Sequence, residues 1–363
     1  MAQSLSFFLG ANTPKGFYSL FDELYRQDAS FRLHILKGGP GTGKSSFMKR
    51  IADAAEARGI ACARIFCSAD PGSLDAVILP ALHTAVADGT SPHVLEPKYP
   101  GVRETLIDLG AFRDDGRLCE HAREVIELTD ENKRLHKRAT AFLNAAGAAA
   151  EELRQILKPA FDEKRVYAFA DRLWEKEVHE ALPGETGHVS RRFLSAVTPC
   201  GVKTFESSVH TLAGRVFVFA DESGVASSEM ISILAAKAEE AGVDAIRCLN
   251  SLSPDAGPEH LILPAHSLAF VTENRFHAFE GERVKNIRCA RFFDAAFLRE
   301  HKHRLGFCKK AVGEMVCEAA SVIAEAKAVH DRLERFYIDA MDFETLNAFA
   351  GAFTEDLFGR EAL

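Results

Sequence analysis

Short apolar runs alternate with longer amphipathic stretches along most of the chain. Five of these runs have the length and composition of buried strands, and they lie at residues 32–36, 61–67, 82–87, 215–219 and 245–249. Helix-length segments separate them. Strands that alternate with helices form crossover units, in which the strands run parallel. The pattern therefore predicts an α/β protein with parallel sheets.

Two long segments rich in Glu, Lys and Arg predict helices. They span residues 118–157 and 298–337, and apolar residues such as Val125, Leu128 and Leu135 are interleaved with the charges. Pro159 interrupts the first segment, because proline has no N–H to donate within a helix. We expect a helical hairpin or bundle after each sheet, with its charged faces in solvent. Binding of a protein partner to these faces is the alternative.

The chain repeats itself once. The sequence F-L-G-A-N-T-P-K-G at residues 8–16 returns as F-L-S-A-V-T-P-C-G at residues 193–201, and six of the nine positions are identical. Three further matches follow in the same order, among them I-L-P-A at residues 78–81 and 262–265. Such a repeat indicates two copies of one structural unit.

The repeat predicts two domains that are each continuous in sequence. Residues 1–182 form the first, with a sheet core at about 1–116 and a helical segment at about 117–182. Residues 188–363 form the second, with a core at about 188–293 and a helical segment at about 294–363. The turn-forming sequence P-G-E-T-G at residues 183–187 is interpreted as the linker.

One motif carries recognisable chemistry. It matches G-x-x-x-x-G-K-[ST], the phosphate-binding loop known as Walker A or P-loop. A predicted strand precedes it and an amphipathic helix follows it, which is the order that the motif requires. The residues of the motif are Gly38, Gly39, Pro40, Gly41, Thr42, Gly43, Lys44 and Ser45.

Each residue type in the loop has a physical role. Glycines let the backbone turn tightly and come close to an anion. Successive backbone N–H groups, which end at the helix N-terminus, then form a cradle for phosphate oxygens. Lys44 would contact the β- and γ-phosphates, the Ser45 hydroxyl would bind Mg²⁺, and Ser46 would donate to the α-phosphate. The motif therefore predicts binding of ATP with Mg²⁺.

A second acidic residue is expected at the end of a neighbouring strand, where it would hold the metal. Asp88 is the first candidate because it follows the apolar run at 82–87 directly, and Asp70 is the second. No base for the attacking water is recognisable. His93 and Glu96 follow Asp88 closely and are interpreted as ordinary loop residues.

The second copy lacks the features of a phosphate loop. Its strand at residues 215–219 is followed by A-D-E-S-G-V-A-S-S, which keeps one glycine and has no lysine. Ala226 is interpreted as the residue in the place of Lys44. Asp221 and Glu222 put two carboxylates where phosphates would lie, and like charges repel. We therefore expect one nucleotide site per chain, with ligation of the first copy's metal by Asp221 and Glu222 as the alternative.

The composition excludes several classes of protein. Of the 363 residues, 47% are hydrophobic and 26% are charged, which is typical of a globular chain rather than a disordered one. The net charge of −8 disfavours binding of nucleic acid or of an anionic membrane by the whole surface. No run approaches the length of about 18 apolar residues that crosses a bilayer. We expect a cytoplasmic protein without a membrane partner.

Three blocks of this sequence resemble a family of uncharacterised bacterial P-loop ATPases. The blocks are F-F-L-G-A-N-T-P-K-G-F at residues 7–17, G-G-P-G-T-G-K-S at 38–45 and D-G-T-S-P-H at 88–93. Members of that family are built from two P-loop-like halves, and the resemblance covers nearly the whole chain. It implies two P-loop NTPase-like sheets, nucleotide binding and ATP hydrolysis. In the family the second half can also carry a phosphate loop, and here it does not.

Three functions remain open at this point. The first is a Mg²⁺-dependent ATPase, or nucleotide-driven switch, in which Lys44 and Asp88 carry the chemistry. The second is a nucleoside or small-molecule kinase, which uses the same loop. The third is a nucleotide-binding scaffold without turnover. No arginine-rich lid of the kinase type is recognisable, so the ATPase is favoured.

Overall fold

The computed structural model describes residues 4–26, 30–178, 187–282 and 284–359. Within these residues the chain is an α/β protein with two mixed sheets of six strands, and helices follow each sheet. Residues 183–186 of the predicted linker lie outside the described residues.

The first half of the chain contains one sheet and one separate hairpin. The strands are β1 (Leu5–Phe7), β2 (Gly10–Thr13), β3 (Gly16–Ser19), β4 (Arg32–Lys37), β5 (Ala63–Phe66), β6 (Leu74–Leu79), β7 (Thr84–Asp88) and β8 (Glu104–Asp108). The sheet has the order β1-β5-β6-β7-β4-β8, while β2 and β3 form the hairpin. The runs predicted at 32–36, 61–67 and 82–87 thus correspond to β4, β5 and β7, with small shifts at their ends.

The second half repeats this arrangement. Its strands are β9 (Val189–Arg192), β10 (Ser195–Thr198), β11 (Gly201–Thr204), β12 (Arg215–Ala220), β13 (Ala245–Leu249), β14 (Pro258–Leu263), β15 (Leu268–Glu273) and β16 (Lys285–Arg288). The sheet has the order β9-β13-β14-β15-β12-β16, which matches the first sheet strand for strand. The repetition in the sequence therefore corresponds to a repetition of the elements.

The prediction of purely parallel sheets is wrong for one strand in each. Strand β6 runs antiparallel to both of its neighbours, β5 and β7, and β14 does the same between β13 and β15. Strands β6 and β7 are joined by the short 3-10 turn Pro80–Leu82 rather than by a helix. All six residues of β6 and of β14 are buried, including Asp75, Glu259 and His260, so neither strand has the alternation of apolar and polar residues that marks a half-buried strand.

The helices also occur in matching sets, except that α5 of the second half corresponds to the 3-10 helix Phe21–Tyr25 of the first half. In the first half they are α1 (Lys44–Ala57), α2 (Asp115–Cys119), α3 (Ala122–Leu157) and α4 (Glu163–Glu177). In the second half they are α5 (Glu206–Leu212), α6 (Val225–Glu240), α7 (Ala295–Glu300), α8 (Lys302–Asp339) and α9 (Phe343–Gly359). Each copy thus ends in one long helix and one shorter helix, as the predicted helical segments require. None of the helices described is both long and apolar enough to cross a membrane.

The chain divides into two compact units that do not coincide with the sequence copies. Unit 1 contains the described parts of residues 1–10, 19–138 and 321–363, and unit 2 contains those of residues 11–18 and 139–320. Helices α3 and α8 each contribute residues to both units. The boundaries near residues 182 and 188 therefore stay a prediction about the sequence copies.

Each unit contains a terminal helix from the other copy in its core. In unit 1, buried Phe47 and Ile51 of α1 belong to the same apolar cluster as Leu346 and Ala350 of α9. In unit 2, α6 shares its apolar cluster with Val166, Ala170 and Leu173 of α4. The helices α1 and α6, which occupy matching positions in the two copies, thus each pack against the last helix of the other copy.

Candidate functional site

The predicted phosphate loop, residues 38–43, lies in unit 1 between β4 and α1. Strand β4 ends at Lys37 and α1 begins at Lys44, so strand, glycine loop and helix follow in the predicted order. Gly38, Gly41 and Gly43 have φ values of 149°, 67° and 84°. Residues with a Cβ rarely adopt these values, so the three glycines are required by the shape of the loop.

Lys44 is held against the loop itself. Its Nζ donates to the carbonyl oxygens of Gly38, at 3.0 Å, and Gly39, at 2.7 Å. The same atom lies 3.7 Å from Asp88 Oδ2, and both side chains are mostly buried. The loop lysine and the first candidate for the second acidic residue therefore lie together.

The sheet topology explains the position of Asp88. Strand β7 pairs parallel with β4, and Asp88, its last residue, is in register with Leu36 just before the loop. Thr90 orients the carboxylate, because its backbone N–H and its hydroxyl donate to Asp88 Oδ1 at 2.8 and 2.6 Å. Asp88 Oδ2 is the oxygen that faces Lys44.

The remaining loop residues are placed as follows. Ser45 Oγ accepts a hydrogen bond from the backbone N–H of Leu74, at 3.0 Å, at the start of β6. Thr42 is buried, and its hydroxyl donates to the carbonyl of Gly39. Ser46 is exposed in the first turn of α1. Pro40 lies within the loop, where its missing N–H costs no strand or helix hydrogen bond.

The oxygen atoms at this site are of the kind that Mg²⁺ prefers. Ser45 Oγ and Asp88 Oδ2 are hard ligands, and Mg²⁺ commonly takes only one or two of its ligands from the protein. The described residues contain no group of three or more His, Cys, Asp or Glu side chains that could hold a metal. A magnesium ion here would therefore be held together with phosphate oxygens and water.

Asp70, the second candidate, has other contacts. Its carboxylate accepts from the Ser73 hydroxyl at 2.7 Å and from the backbone N–H of Gly72 at 3.3 Å. It also lies 3.7 Å from Lys327 Nζ on α8. The geometry thus places Asp70 in a turn and Asp88 beside Lys44.

Sequence reasoning missed a buried ion pair beside the site. His93 Nε2 lies 3.3 Å from Asp75 Oδ2, and both side chains are almost fully buried. Asp75 lies on β6 directly across the ladder from Asp88 on β7, because the neighbouring residues Ala76 and Ala87 are in register. Burial by itself would lower the pKa of His93, but the charge of Asp75 and its hydrogen bond raise that pKa above the usual value.

A signal for this pair was present in the repeat. At the same places in the second copy, Glu259 on β14 replaces Asp75 and His277 replaces His93. Glu259 and His277 are also buried, but their contacts differ from those of Asp75 and His93. Burial alone would raise the pKa of Glu259, but the hydrogen bond and charge of His260, followed by the charge of His277, lower it. His277 Nε2 lies 3.5 Å from Glu206 Oε2, and burial lowers the pKa of His277, whereas the pKa of His93 is raised. An acid and a histidine thus occupy matching buried positions in both copies, but with different partners.

Glu96 is held by the end of β4. Lys37 Nζ lies 2.6 Å from Glu96 Oε1 and also donates to the carbonyls of Gly89 and Leu95. These bonds tie the segment after Asp88 to the strand that carries the phosphate loop.

The end of α8 lies directly on the loop. Glu334 Oε1 accepts a hydrogen bond from the backbone N–H of Gly41 at 3.2 Å. A Cβ at Gly39 would lie only 2.7 Å from Cε1 of the Tyr337 ring. Sequence reasoning did not identify this contact, because Glu334 is far from the loop along the chain and belongs to no motif.

The equivalent loop in unit 2 is filled by its own carboxylate. Asp221 Oδ1 accepts from the backbone N–H and the hydroxyl of Ser223, and Asp221 Oδ2 accepts from the N–H of Ser227 at 2.9 Å. Glu222 instead lies 3.2 Å from Arg275. The backbone N–H groups of Ser223 and Ser227, on either side of the start of α6, therefore already have an anionic partner.

Helix α6 also begins earlier than α1. Buried residues of α1 recur along α6 with a constant shift, so that Phe47, Met48 and Ile51 match Met230, Ile231 and Leu234. The same shift puts Ser227, rather than Ala226, in the place of Lys44, which corrects the interpretation from sequence. The loop between strand and helix has six residues in unit 1, 38–43, and only four in unit 2, 221–224.

Comparison with known proteins identifies no relative. No protein-family model matches the sequence, and neither a curated protein nor a solved structure matches it.

Proposed function

We propose that unit 1 binds ATP with Mg²⁺ on the loop at residues 38–46 and hydrolyses it. The observation that carries this proposal is the approach of Lys44 Nζ to Asp88 Oδ2 at 3.7 Å, at the start of α1. A loop that only connects a strand to a helix does not need a lysine and an aspartate, both mostly buried, at this position. A phosphate-binding loop needs both.

The chain's own residues have distinct tasks in this proposal. Backbone N–H groups of the loop and of the first turn of α1 bind phosphate oxygens. Lys44 leaves the carbonyls of Gly38 and Gly39 and neutralises the β- and γ-phosphates. Asp88, oriented by Thr90, and Ser45 would hold Mg²⁺, which supplies positive charge to the phosphate oxygens when it is bound. Catalysis then depends mainly on positioning and on electrostatic stabilisation.

Lys44→Ala tests the proposal directly. Loss of a charge-assisted contact to two phosphates is expected to cost at least about 1.5–3 kcal/mol, which is more than tenfold in affinity. Calorimetric titration with Mg·ATP measures this loss. Lys49→Ala removes a lysine from the same helix outside the motif and is the matched control. Equal affinity for the wild type and Lys44→Ala would exclude the loop as the binding site.

Turnover separates the three functions that share this loop. ATP consumption without any acceptor supports an ATPase, and consumption only with a member of a panel of nucleosides and sugars indicates a kinase. Binding without consumption under either condition indicates a scaffold. We expect consumption without an acceptor, abolished by Lys44→Ala.

A further inference from the structure

The last turns of α8 occupy the space directly above the phosphate loop. A Cβ at Gly41 would lie 2.8 Å from the carbonyl oxygen of Glu334 and 3.1 Å from Cγ1 of Ile338. A Cβ at Gly39 would lie 2.7 Å from the Tyr337 ring. Cβ atoms essentially never come within 3.0 Å of such neighbours, so these glycines allow the loop and the helix to touch. Nothing in phosphate binding itself requires this contact.

The contact also places a negative charge on the loop. Glu334 Oε1 accepts from the N–H of Gly41, one of the loop N–H groups that a bound phosphate would use. His330 Nε2 lies 3.4 Å from the same oxygen and comes from the preceding turn of α8. The hydrogen bond to His330, followed by the charge of His330 and the Gly41 N–H, lowers the pKa of Glu334, so the side chain is a carboxylate at neutral pH.

Lys44 is engaged by the loop in the same arrangement. Its ammonium group donates to the carbonyls of Gly38 and Gly39, and the Tyr337 ring lies close to Gly39. A triphosphate on the loop would need the Gly41 N–H and the Lys44 charge at once. It would also bring its own negative charge close to Glu334, where the two would repel each other.

We propose that Glu334 and Tyr337 form an autoinhibitory cap, in which the Glu334 carboxylate takes the place of a phosphate until nucleotide displaces the end of α8. This inference rests on the proposed function of the loop. The cap competes with nucleotide for the loop, so binding of ATP moves residues 334–338 of α8. The apparent affinity for nucleotide is then the intrinsic affinity multiplied by the fraction of molecules in which the cap is open.

The experiment compares the affinity of a non-hydrolysable ATP analogue for four proteins. These are the wild type, Glu334→Ala, Glu334→Gln and Glu325→Gln. Glu334→Gln keeps the size of the side chain and an oxygen that can accept from Gly41, but removes the charge. Glu325→Gln is the matched control, because it removes the same charge from α8 at an exposed residue whose partner is Arg138 at 3.8 Å.

The cap predicts tighter binding when the carboxylate is lost. We expect Glu334→Ala to bind the analogue about tenfold more tightly than the wild type, with Glu334→Gln between the two. Glu325→Gln should bind as the wild type does. Hydrogen exchange of residues 334–338 in the wild type should become faster when the analogue is added, because the end of α8 leaves the loop.

The other outcomes have separate meanings. Equal or weaker binding by both Glu334 variants, with binding by the wild type intact, would overturn the cap and leave the proposed function standing. A purely structural Glu334 would give weaker binding together with a lower unfolding temperature. Absence of binding by all four proteins would contradict the proposed function itself, and the cap would fall with it.

Discussion

Asp88 and Asp70 differ in what their carboxylates contact. One oxygen of Asp88 is fixed by Thr90 and the other faces Lys44, whereas Asp70 is bound in a turn with Ser73. The sequence could rank Asp88 before Asp70 as the second acidic residue, but it could not show what either carboxylate contacts. The difference comes from the parallel pairing of β7 with β4, which brings the end of one strand beside the end of the other.

Asp88→Asn should reduce turnover of ATP far more than it reduces binding. The loop N–H groups and Lys44 remain, so the affinity for nucleotide should change little, while loss of the charge at the metal should lower the rate at least about tenfold. Steady-state hydrolysis and calorimetry on the same preparations measure the two effects. Asp70→Asn is the comparison. Normal hydrolysis by Asp88→Asn together with loss of hydrolysis in Asp70→Asn would reverse the assignment.

His93 should make the stability of unit 1 depend on pH. Its pKa is raised in the folded protein because Asp75 outweighs the effect of burial, so the charged imidazolium is bound more tightly in the folded state. The stabilisation is then complete below the unfolded pKa of about 6.5 and is lost as the pH rises through the folded pKa.

Urea unfolding of the wild type and of His93→Asn at pH 5.5 and at pH 8.5 checks this expectation. The difference in unfolding free energy between the two proteins should be larger at pH 5.5. His303→Asn, which changes an exposed histidine of α8, controls for the substitution itself. A difference that is the same at both pH values, or larger at pH 8.5, would show that Asp75 does not hold a charged His93.

At the scale of elements, helix α9 packs in unit 1, although the prediction of two continuous domains places it in the second domain. Leu346 of α9 is buried in the same apolar cluster as Phe47 and Ile51 of α1, and its Cδ2 would lie 3.1 Å from a Cβ at Gly43. The burial of helix α1 thus depends on residues of α9.

Leu346→Ala should therefore destabilise unit 1. Removal of a buried leucine side chain costs about 2–5 kcal/mol, because it loses apolar burial and leaves a cavity. Chemical unfolding monitored by circular dichroism measures the loss. Leu106→Ala on β8, at a half-exposed leucine, should change the stability by no more than about 0.5 kcal/mol. Two variants of equal stability would mean that α9 does not contribute to the core.

Features that depend on neighbouring residues could be predicted from the sequence, whereas contacts between distant residues could not. The glycine loop, the strand before it and the helix after it can be predicted because each depends on residues that are neighbours in the sequence. Strands β6 and β14 could not be predicted, since every residue in them is buried and polar residues do not alternate with apolar ones. The contact between Gly41 and Glu334 joins residues 293 positions apart, and no pattern within either segment indicates the other.

At the scale of the whole molecule, the two copies contain matching loops that each bind a carboxylate, but the carboxylates come from different elements. In unit 1 the loop has six glycine-rich residues before Lys44 at the start of α1, and the carboxylate that binds it, Glu334, comes from another element. In unit 2 the loop has four residues, and its own Asp221 binds the N–H of Ser227 at the start of α6. The composition of residues 220–228 predicts that the second copy has no nucleotide site. The structure adds an earlier start of α6 and the internal carboxylate of Asp221, which support that prediction.

The stoichiometry of nucleotide binding tests this account most directly. Equilibrium binding of a non-hydrolysable ATP analogue to the intact chain, with the protein concentration determined independently, should give one site per chain. That site should be lost in Lys44→Ala, because Asp221 keeps the second loop closed to anions. A stoichiometry near two, or a site that survives Lys44→Ala with unchanged affinity, would contradict the account.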